Sequence, residues 1–324
     1  MRSIRTRPYR YLLACMRELL HPPAHRGPLI AAGALVLTVG VALEQVRVRP
    51  GAGVQLLVVA ALAAVLLWLA LQERLEDGKP HAHTSLLLVL GLGALYVALL
   101  RLADVIGADF SGEDFPAGAF VWTGLVEAGV AGLAAVRLRS SIAVLLAAVA
   151  AGIALLSAWD WVFDPGSVTP YRWLLLLLAV GFAVASLPLR ATSLRHAEQM
   201  VNAAGLAILA IPLIEVPATL FGGSAALPGF WELVVLVAGL GLVAYATVDH
   251  APGPAYLGAA LLGSFLVTVG AAGDRTLEWW PLALLLLGGG MLGAGLRPRA
   301  PLPPEPDSST RPDELPLPVR VRRD

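Results

Sequence analysis

Long apolar runs without charge constrain the fold of this chain more than any other feature. Residues 54–71 and 173–189 contain no charged side chain. A span of lipid hydrocarbon needs about 20 such residues, and a helix satisfies all its backbone hydrogen bonds within that span. Strands of a membrane barrel would instead be about ten residues of alternating pattern. The runs therefore predict an all-α, polytopic integral membrane protein.

Ten segments are long and apolar enough to be transmembrane helices. The chain is 57% hydrophobic and only 14% charged, against about 25% charged in soluble domains. We expect a ten-helix transmembrane domain over residues 28–296, an N-terminal segment over 1–27 and a tail over 297–324. The predicted helices are 28–46, 53–71, 84–105, 117–136, 141–161, 171–189, 199–219, 230–248, 254–272 and 278–296.

Acidic residues recur at intervals of 55 to 60 residues, each near the end of an apolar segment. A fixed period of this kind indicates one structural unit repeated along the chain. Because each period contains two apolar segments, successive units would keep the same orientation in the membrane. We predict five like-oriented helical hairpins, at about 28–71, 84–136, 141–189, 199–248 and 254–296. The recurring acids are Glu44, Asp104, Asp160, Glu215 and Asp274.

Basic residues predict the orientation. Most of the 23 basic residues lie in the two tails and in alternate loops, which places both termini in the cytoplasm by the positive-inside rule. Only one lysine, Lys79, stands among many arginines, which is typical of a GC-rich bacterial genome. We therefore expect a multi-pass protein of the bacterial plasma (inner) membrane.

The two tails have distinct expected roles. Apolar residues at 12, 13, 16, 19 and 20 share one helical face, so residues before Pro22 are predicted to form an amphipathic interfacial helix. Its arginines would bind anionic inner-leaflet lipids. Lipidation of Cys15 is the weaker alternative, since the preceding apolar stretch is too short for a signal segment. Residues 297–324 combine prolines with charges, and this composition predicts disorder.

Three charged residues within the predicted helices form a candidate intramembrane polar site. Glu127 lies near the bilayer midplane, where an ionised carboxylate costs about 2.5–3.5 kcal/mol. We expect Glu127 to be neutral, paired or facing water, and Arg101 on the preceding helix is its predicted partner. Glu215 lies between two prolines that should kink the helix and open a cavity. The alternative is a structural Arg101–Glu127 ion pair, with Glu215 at a hydrated kink.

Four acids are predicted at the outer mouth of the protein: Asp104, Asp160, Asp164 and Asp274. In one interpretation, water solvates each of them where a helix leaves the hydrocarbon. In the other, they converge on an outer vestibule that concentrates cations. Asp160 and Asp164 fit the first interpretation, and they are also the best candidates for the second, because aromatic residues separate them and aromatic rings attract cations.

Glycines predict places where helices approach closely. Gly289 and Gly293 form a GxxxG motif, and the 91/93 and 239/241 pairs are further candidates. Glycine permits close contact because it has no side chain. Packing within one chain is the expected use.

Common catalytic motifs are absent from the sequence. The sequence contains no Walker loop, HExxH, CxxC or GxSxG motif. We therefore expect no enzyme activity, no cofactor, no metal site and no nucleic acid partner. The polar residues favour a transporter-like or channel-like role for an ion or a small solute, and the acids favour a cationic one. The alternative is a non-catalytic scaffold or sensor subunit that acts through its basic cytoplasmic face, and the sequence indicates no particular protein partner.

Overall fold

The computed structural model describes residues 27–47, 51–72, 82–108, 110, 116–214 and 227–271. Within these ranges the regular structure is entirely α-helical. All described helices belong to a compact unit over residues 1–272, and a second unit over 273–324 lies outside the described residues. The helices are α1 (Gly27–Arg47), α2 (Ala52–Gln72), α3 (Ala82–Val105), α4 (Ala117–Leu138), α5 (Ser141–Phe163), α6 (Thr169–Thr192), α7 (Leu194–Leu213), α8 (Gly229–Asp249) and α9 (Pro252–Ala271).

Seven of these helices, α1 to α6 and α8, are long and apolar enough to cross a membrane. The apolar part of α9 is shorter and covers Pro252–Thr268. The first two turns of α7 carry several polar residues, which lower its hydropathy. The predicted helical membrane class is thus confirmed, whereas the count of ten helices is not. The tenth predicted segment, 278–296, the interfacial helix and the tail over 297–324 lie outside the described residues.

The seventh predicted helix differs most from the observed one. It was expected over 199–219, but α7 begins at Leu194 and ends at Leu213. The hydroxyl of Ser193 accepts a hydrogen bond from the His196 amide at 3.4 Å, which caps the first turn. The helix therefore starts in polar sequence, and the apolar run marks only its later part.

The helices do not pair as the predicted hairpins require. The most extensive contacts join α2 with α3, α4 with α5, α6 with α7, and α8 with α9. The predicted hairpins would instead join α1 with α2, α3 with α4, α5 with α6, and α7 with α8, and all these pairs contact much less. In three of the four close pairs, α4 with α5, α6 with α7 and α8 with α9, a connection of one or two residues holds the helices side by side.

The pattern of neighbours repeats after four helices rather than two. In the first set, α3 is the central helix and contacts α1, α2, α4 and α5. In the second set, α7 takes the same place and contacts α5, α6, α8 and α9. Every main helix pair of the first set has a counterpart four helices later. Because four is even, both sets have the same orientation, and α5 belongs to both.

Two turns at equivalent places in these sets have the same geometry. Arg139 ends α4 in the left-handed conformation with φ 49°, and α5 begins two residues later. His250 ends α8 in the same way with φ 53°, and α9 begins two residues later. Both turns lie at the end of the bundle that the charge pattern predicts to be inside. We call this end the predicted inner end and the opposite end the predicted outer end.

Glycines allow the helices of two close pairs, α2 with α3 and α8 with α9, to approach each other closely. A Cβ on Gly91 would lie 3.0 Å from Leu67, and one on Gly239 would lie 3.1 Å from Leu262. Both glycines are buried, as their predicted role requires. Gly93 and Gly241 have no neighbour of this kind within 4 Å, so only the first member of each predicted pair packs closely. Gly289 and Gly293 lie outside the described residues.

An ion pair at the predicted inner end ties α6 to α8. The Arg190 guanidinium donates from Nη2 to both carboxylate oxygens of Asp249, at 2.7 and 2.6 Å. Its Cζ also lies 5.4 Å from the centre of the Tyr245 ring. Both charged side chains are partly exposed, so water weakens the attraction.

We expect Arg190→Gln to lower the free energy of unfolding by about 1 kcal/mol, because a partly exposed pair is worth little more. Arg137→Gln is the matched control, since Arg137 is exposed and the described residues show no ion pair for it. A double-mutant cycle with Asp249→Asn measures the coupling by thermal unfolding. Additive effects of the two substitutions would contradict a stabilising Arg190–Asp249 interaction.

Candidate functional site

A cavity of about 600 Å³ lies towards the predicted outer end, between α3, α4, α5 and α6. Its volume falls within the range of small-molecule sites, which is about 300–1,000 Å³. One acidic residue, three aromatic residues (two of them tyrosines) and one serine contribute to a wall that is otherwise apolar. The lining residues are Tyr96, Phe120, Ile153, Leu156, Ser157, Asp160 and Tyr171.

The end of α5 positions the acidic residue of this cavity. Helix α5 stops at Phe163, and Asp164 adopts the left-handed conformation with φ 38°. The Asp164 amide donates to the carbonyl oxygen of Asp160 at 2.9 Å, which closes the last turn. The chain then reverses direction, and α6 begins at Thr169. Tyr171, in the first turn of α6, therefore lies beside Asp160. The Tyr171 hydroxyl donates a hydrogen bond to Oδ1 of Asp160.

This arrangement suits a small cation. Asp160 supplies negative charge, and Tyr171 occupies only one of its two oxygens with a hydrogen bond. Tyr96, Phe120 and Tyr171 supply aromatic faces that attract cations, most strongly where water is excluded. The apolar remainder of the wall would favour an organic cation over a hydrated metal ion, which needs several oxygen ligands.

Glu127 lies on α4, about two turns after Phe120, and is 5% exposed. Its Oε2 atom is buried and has no hydrogen-bond partner among the described residues. Tyr96 is close enough to interact with both Glu127 and the Thr123 side chain. Glu127 is not itself part of the wall that the described residues form. Tyr96 therefore lies both in the cavity wall and near this buried carboxyl group.

Arg101 does not pair with Glu127, contrary to the prediction. Its Nη1 lies 3.8 Å from Oδ2 of Asp104, one helical turn away on α3. Arg101 instead lines a second cavity of about 310 Å³ between α1, α2 and α3. The reason is the rotation of α3: residues 96 and 101 are five positions apart, so they face different neighbours. The proposed structural ion pair is thus absent from the described residues.

The predicted outer acids do not all converge. Asp160 lines the first cavity, and Asp164 is exposed at its edge, near Tyr171. Asp104 pairs with Arg101 and lines neither described cavity. Glu215 and Asp274 lie outside the described residues. Asp160 is thus the one predicted acid that the described residues place in a cavity wall, and the convergence of the four acids on an outer vestibule stays a prediction.

Several polar residues inside the bundle have no role predicted from the sequence. Tyr96 and Ser157 lie within long apolar runs, where a single polar residue carries little signal. Glu232 is buried in the first turn of α8, and an acid at this position is favourable because of the helix dipole. Asn202 is buried in α7 and donates to Gln199 at 3.2 Å. Only Glu232 was detectable in advance, as an acid at the start of an apolar segment.

The helices and cavities define a class of protein but not a relative. The seven long apolar helices place this chain among multi-pass helical membrane proteins. Comparison with known proteins gives no match, whether with protein-family models, curated proteins or solved structures. Within the described part of the chain, no group of three or more histidine, cysteine or acidic residues could hold a metal ion.

Proposed function

We propose that this protein binds a small organic cation from the predicted outer side and carries it through the membrane. The observation that supports this most directly is the cavity in which Asp160 lies beside aromatic side chains. A carboxylate with aromatic faces is the chemistry by which proteins recognise amines and quaternary ammonium groups. The preference for a cation refines the expected transporter-like role for an ion or small solute.

Glu127 supplies the second step of this proposal. A buried carboxyl oxygen without a partner is unfavourable and calls for an explanation. Charged or ionisable residues inside membranes commonly mark the paths of ions and solutes. Tyr96 lies at the cavity wall and near Glu127. Movement of the Tyr96 ring would therefore connect the outer site with the buried acid.

The alternative remains a membrane scaffold or sensor without a transported solute. That interpretation predicts a dry bundle whose acids are paired or in water. Asp104, which pairs with Arg101, and exposed Asp164 fit this description. Glu127 does not fit it, because Oε2 is buried and has no hydrogen-bond partner in the described part of the chain. We therefore favour passage of a solute.

We expect Asp160→Asn to abolish the binding of small organic cations. The experiment measures thermal stability of the detergent-purified chain across concentrations of choline, tetramethylammonium, K⁺ and Na⁺. A ligand at 100 times its dissociation constant stabilises the native state by about 2.7 kcal/mol. The expected result is a saturable rise in melting temperature with an organic cation, lost in Asp160→Asn.

Asp104→Asn is the control for this experiment. It removes the same charge at the same end of the bundle but outside both described cavities, so the cation effect should persist. Equal loss in both variants would indicate a general surface effect and contradict a site at Asp160. Absence of any saturable effect in the unsubstituted chain would favour the scaffold.

A further inference from the structure

The second cavity, between α1, α2 and α3, has the form of a slot that follows one face of α3. It extends along α3 from Val89 to Arg101, a distance of about 18 Å at 1.5 Å per residue. One leaflet of a bilayer has a hydrocarbon depth of about 15 Å. The slot therefore has about the depth of one leaflet. It begins at Val89, in the first half of α3, and extends towards the predicted outer end.

The packing of α1 explains why the slot exists. At the predicted inner end α1 touches α3, which runs parallel to it, because a Cβ on Gly27 of α1 would collide with the His83 ring of α3. Further along, Thr38 and Gln45 of α1 face the slot rather than packing against α3. Only a small part of α1 is buried. The slot is thus bounded on one side by a helix that is otherwise largely exposed to lipid.

The Thr38 hydroxyl donates to the Ala34 carbonyl oxygen of its own helix at 2.8 Å, and the other polar side chains of the slot lie at its outer end. Arg101 lines it and has only a long 3.8 Å contact with Asp104. Oε1 of Gln45 also lies there, buried and without a hydrogen-bond partner among the described residues. Arg101 and Gln45 lie at headgroup depth and can bind the polar end of an amphiphile. The apolar remainder of the slot can hold its hydrocarbon chain.

We infer that this slot binds one acyl chain of an anionic phospholipid. The chain lies along α3, the phosphate contacts the Arg101 guanidinium, and a headgroup hydroxyl donates to Oε1 of Gln45. The volume of about 310 Å³ suits a single hydrocarbon chain. A bidentate guanidinium–phosphate contact is stronger than the long contact that Arg101 makes with Asp104. This inference does not depend on the cation cavity, which other residues form.

Gly93 provides the sharpest test. It lines the slot and has no heavy atom of a neighbour within 4 Å of a Cβ. Gly93→Leu should fill the slot without disturbing the fold and lower phospholipid binding at least about tenfold, which corresponds to about 1.4 kcal/mol. Gly40→Leu is the matched control, because Gly40 is an exposed glycine of α1 with equally open surroundings.

The measurement is native mass spectrometry of the full chain, titrated with lysophosphatidylglycerol, lysophosphatidylcholine and inorganic phosphate. We expect one tightly bound lysophosphatidylglycerol, weaker binding of the zwitterionic lipid, and no binding of phosphate. Arg101→Gln should remove the preference for the anionic lipid while leaving chain binding intact.

Three outcomes would overturn the inference. Equal lipid binding by Gly93→Leu and Gly40→Leu would place the lipid elsewhere on the surface. Binding of inorganic phosphate alone would indicate a site for a free anion. An unchanged lipid preference in Arg101→Gln would show that the guanidinium does not contact the headgroup. If Gly93→Leu fails to fold, the Arg101→Gln comparison still decides the point.

Discussion

Gly258→Ala should destabilise this protein strongly, although alanine is the better helix former. A Cβ on Gly258 of α9 would lie 2.8 Å from the Gly239 carbonyl oxygen and 3.0 Å from the Val243 amide nitrogen. Both atoms belong to the backbone of α8, so a side-chain rotation cannot relieve the contact. We expect α8 and α9 to separate and the free energy of unfolding to fall by about 3 kcal/mol, as in overpacked cores.

Gly263→Ala is the control in the same helix. Gly263 is exposed, and a Cβ there meets nothing within 4 Å. This substitution should raise stability by up to about 1 kcal/mol, because alanine has the higher helix propensity. The two variants are compared by thermal unfolding in detergent, and effects of opposite sign are expected. A stabilising Gly258→Ala would contradict the close contact between α8 and α9.

Glu127→Leu should abolish cation uptake while leaving the protein at least as stable. The substitution removes a buried carboxyl oxygen that has no hydrogen-bond partner among the described residues. Relief of an unsatisfied buried polar group is worth about 1–3 kcal/mol, and part of this gain is offset by the different shape of leucine. We therefore expect a gain of about 1 kcal/mol and a loss of uptake of at least about 100-fold, which corresponds to about 2.7 kcal/mol.

The loss of transport is measured as uptake of a radiolabelled organic cation into proteoliposomes, and the gain in stability is measured by thermal unfolding. Glu127→Gln keeps the shape of the side chain and should also lose uptake, with little change in stability. A Glu127→Leu variant with lower stability and normal uptake would show that Glu127 is structural. Binding at Asp160 that persists in Glu127→Leu would separate the outer site from the passage step.

These predictions assign different tasks to charged residues that look alike in sequence. Asp104 and Asp160 belong to the same series of recurring acids, and both lie in the last turn of a helix at the predicted outer side. Asp104 lies in α3, the central helix of the first set, and pairs with Arg101 on its own helix. Asp160 lies in α5, which belongs to both sets, and lines a cavity. Their equal spacing therefore does not imply an equal function.

Most of the secondary structure was predictable because long apolar runs in lipid can only be helical. Nine of the ten predicted segments overlap a described helix, and α4 and α5 begin at the predicted residues. The error at α7 arose because hydropathy detects the apolar part of a helix and not its polar first turns. The predicted pairing of helices in hairpins differs from the observed pairing for a related reason. The spacing of the acids corresponds to the length of two helices, but it does not show which helices are in contact.

Of the candidate site, the sequence indicated Asp160 and Glu127 but not their surroundings. Both are rare charges in apolar sequence, and burial of charge is unfavourable enough to draw attention to them. Tyr96 gave no comparable signal, since a lone tyrosine in a helix is common in lipid-facing positions as well. Arg101 was assigned the wrong partner because sequence spacing does not define the rotation of one helix against another.

By itself, the sequence determined that this chain is helical, where most of its helices lie and which rare charges interrupt them, because transfer free energy into lipid depends on local composition. Only the tertiary structure decided three features: the four-helix recurrence around α3 and α7, the position of Arg101 away from Glu127, and the two cavities. These features depend on which faces meet, and small residues such as Gly239 and Gly258 set that choice through the distance at which helices can touch.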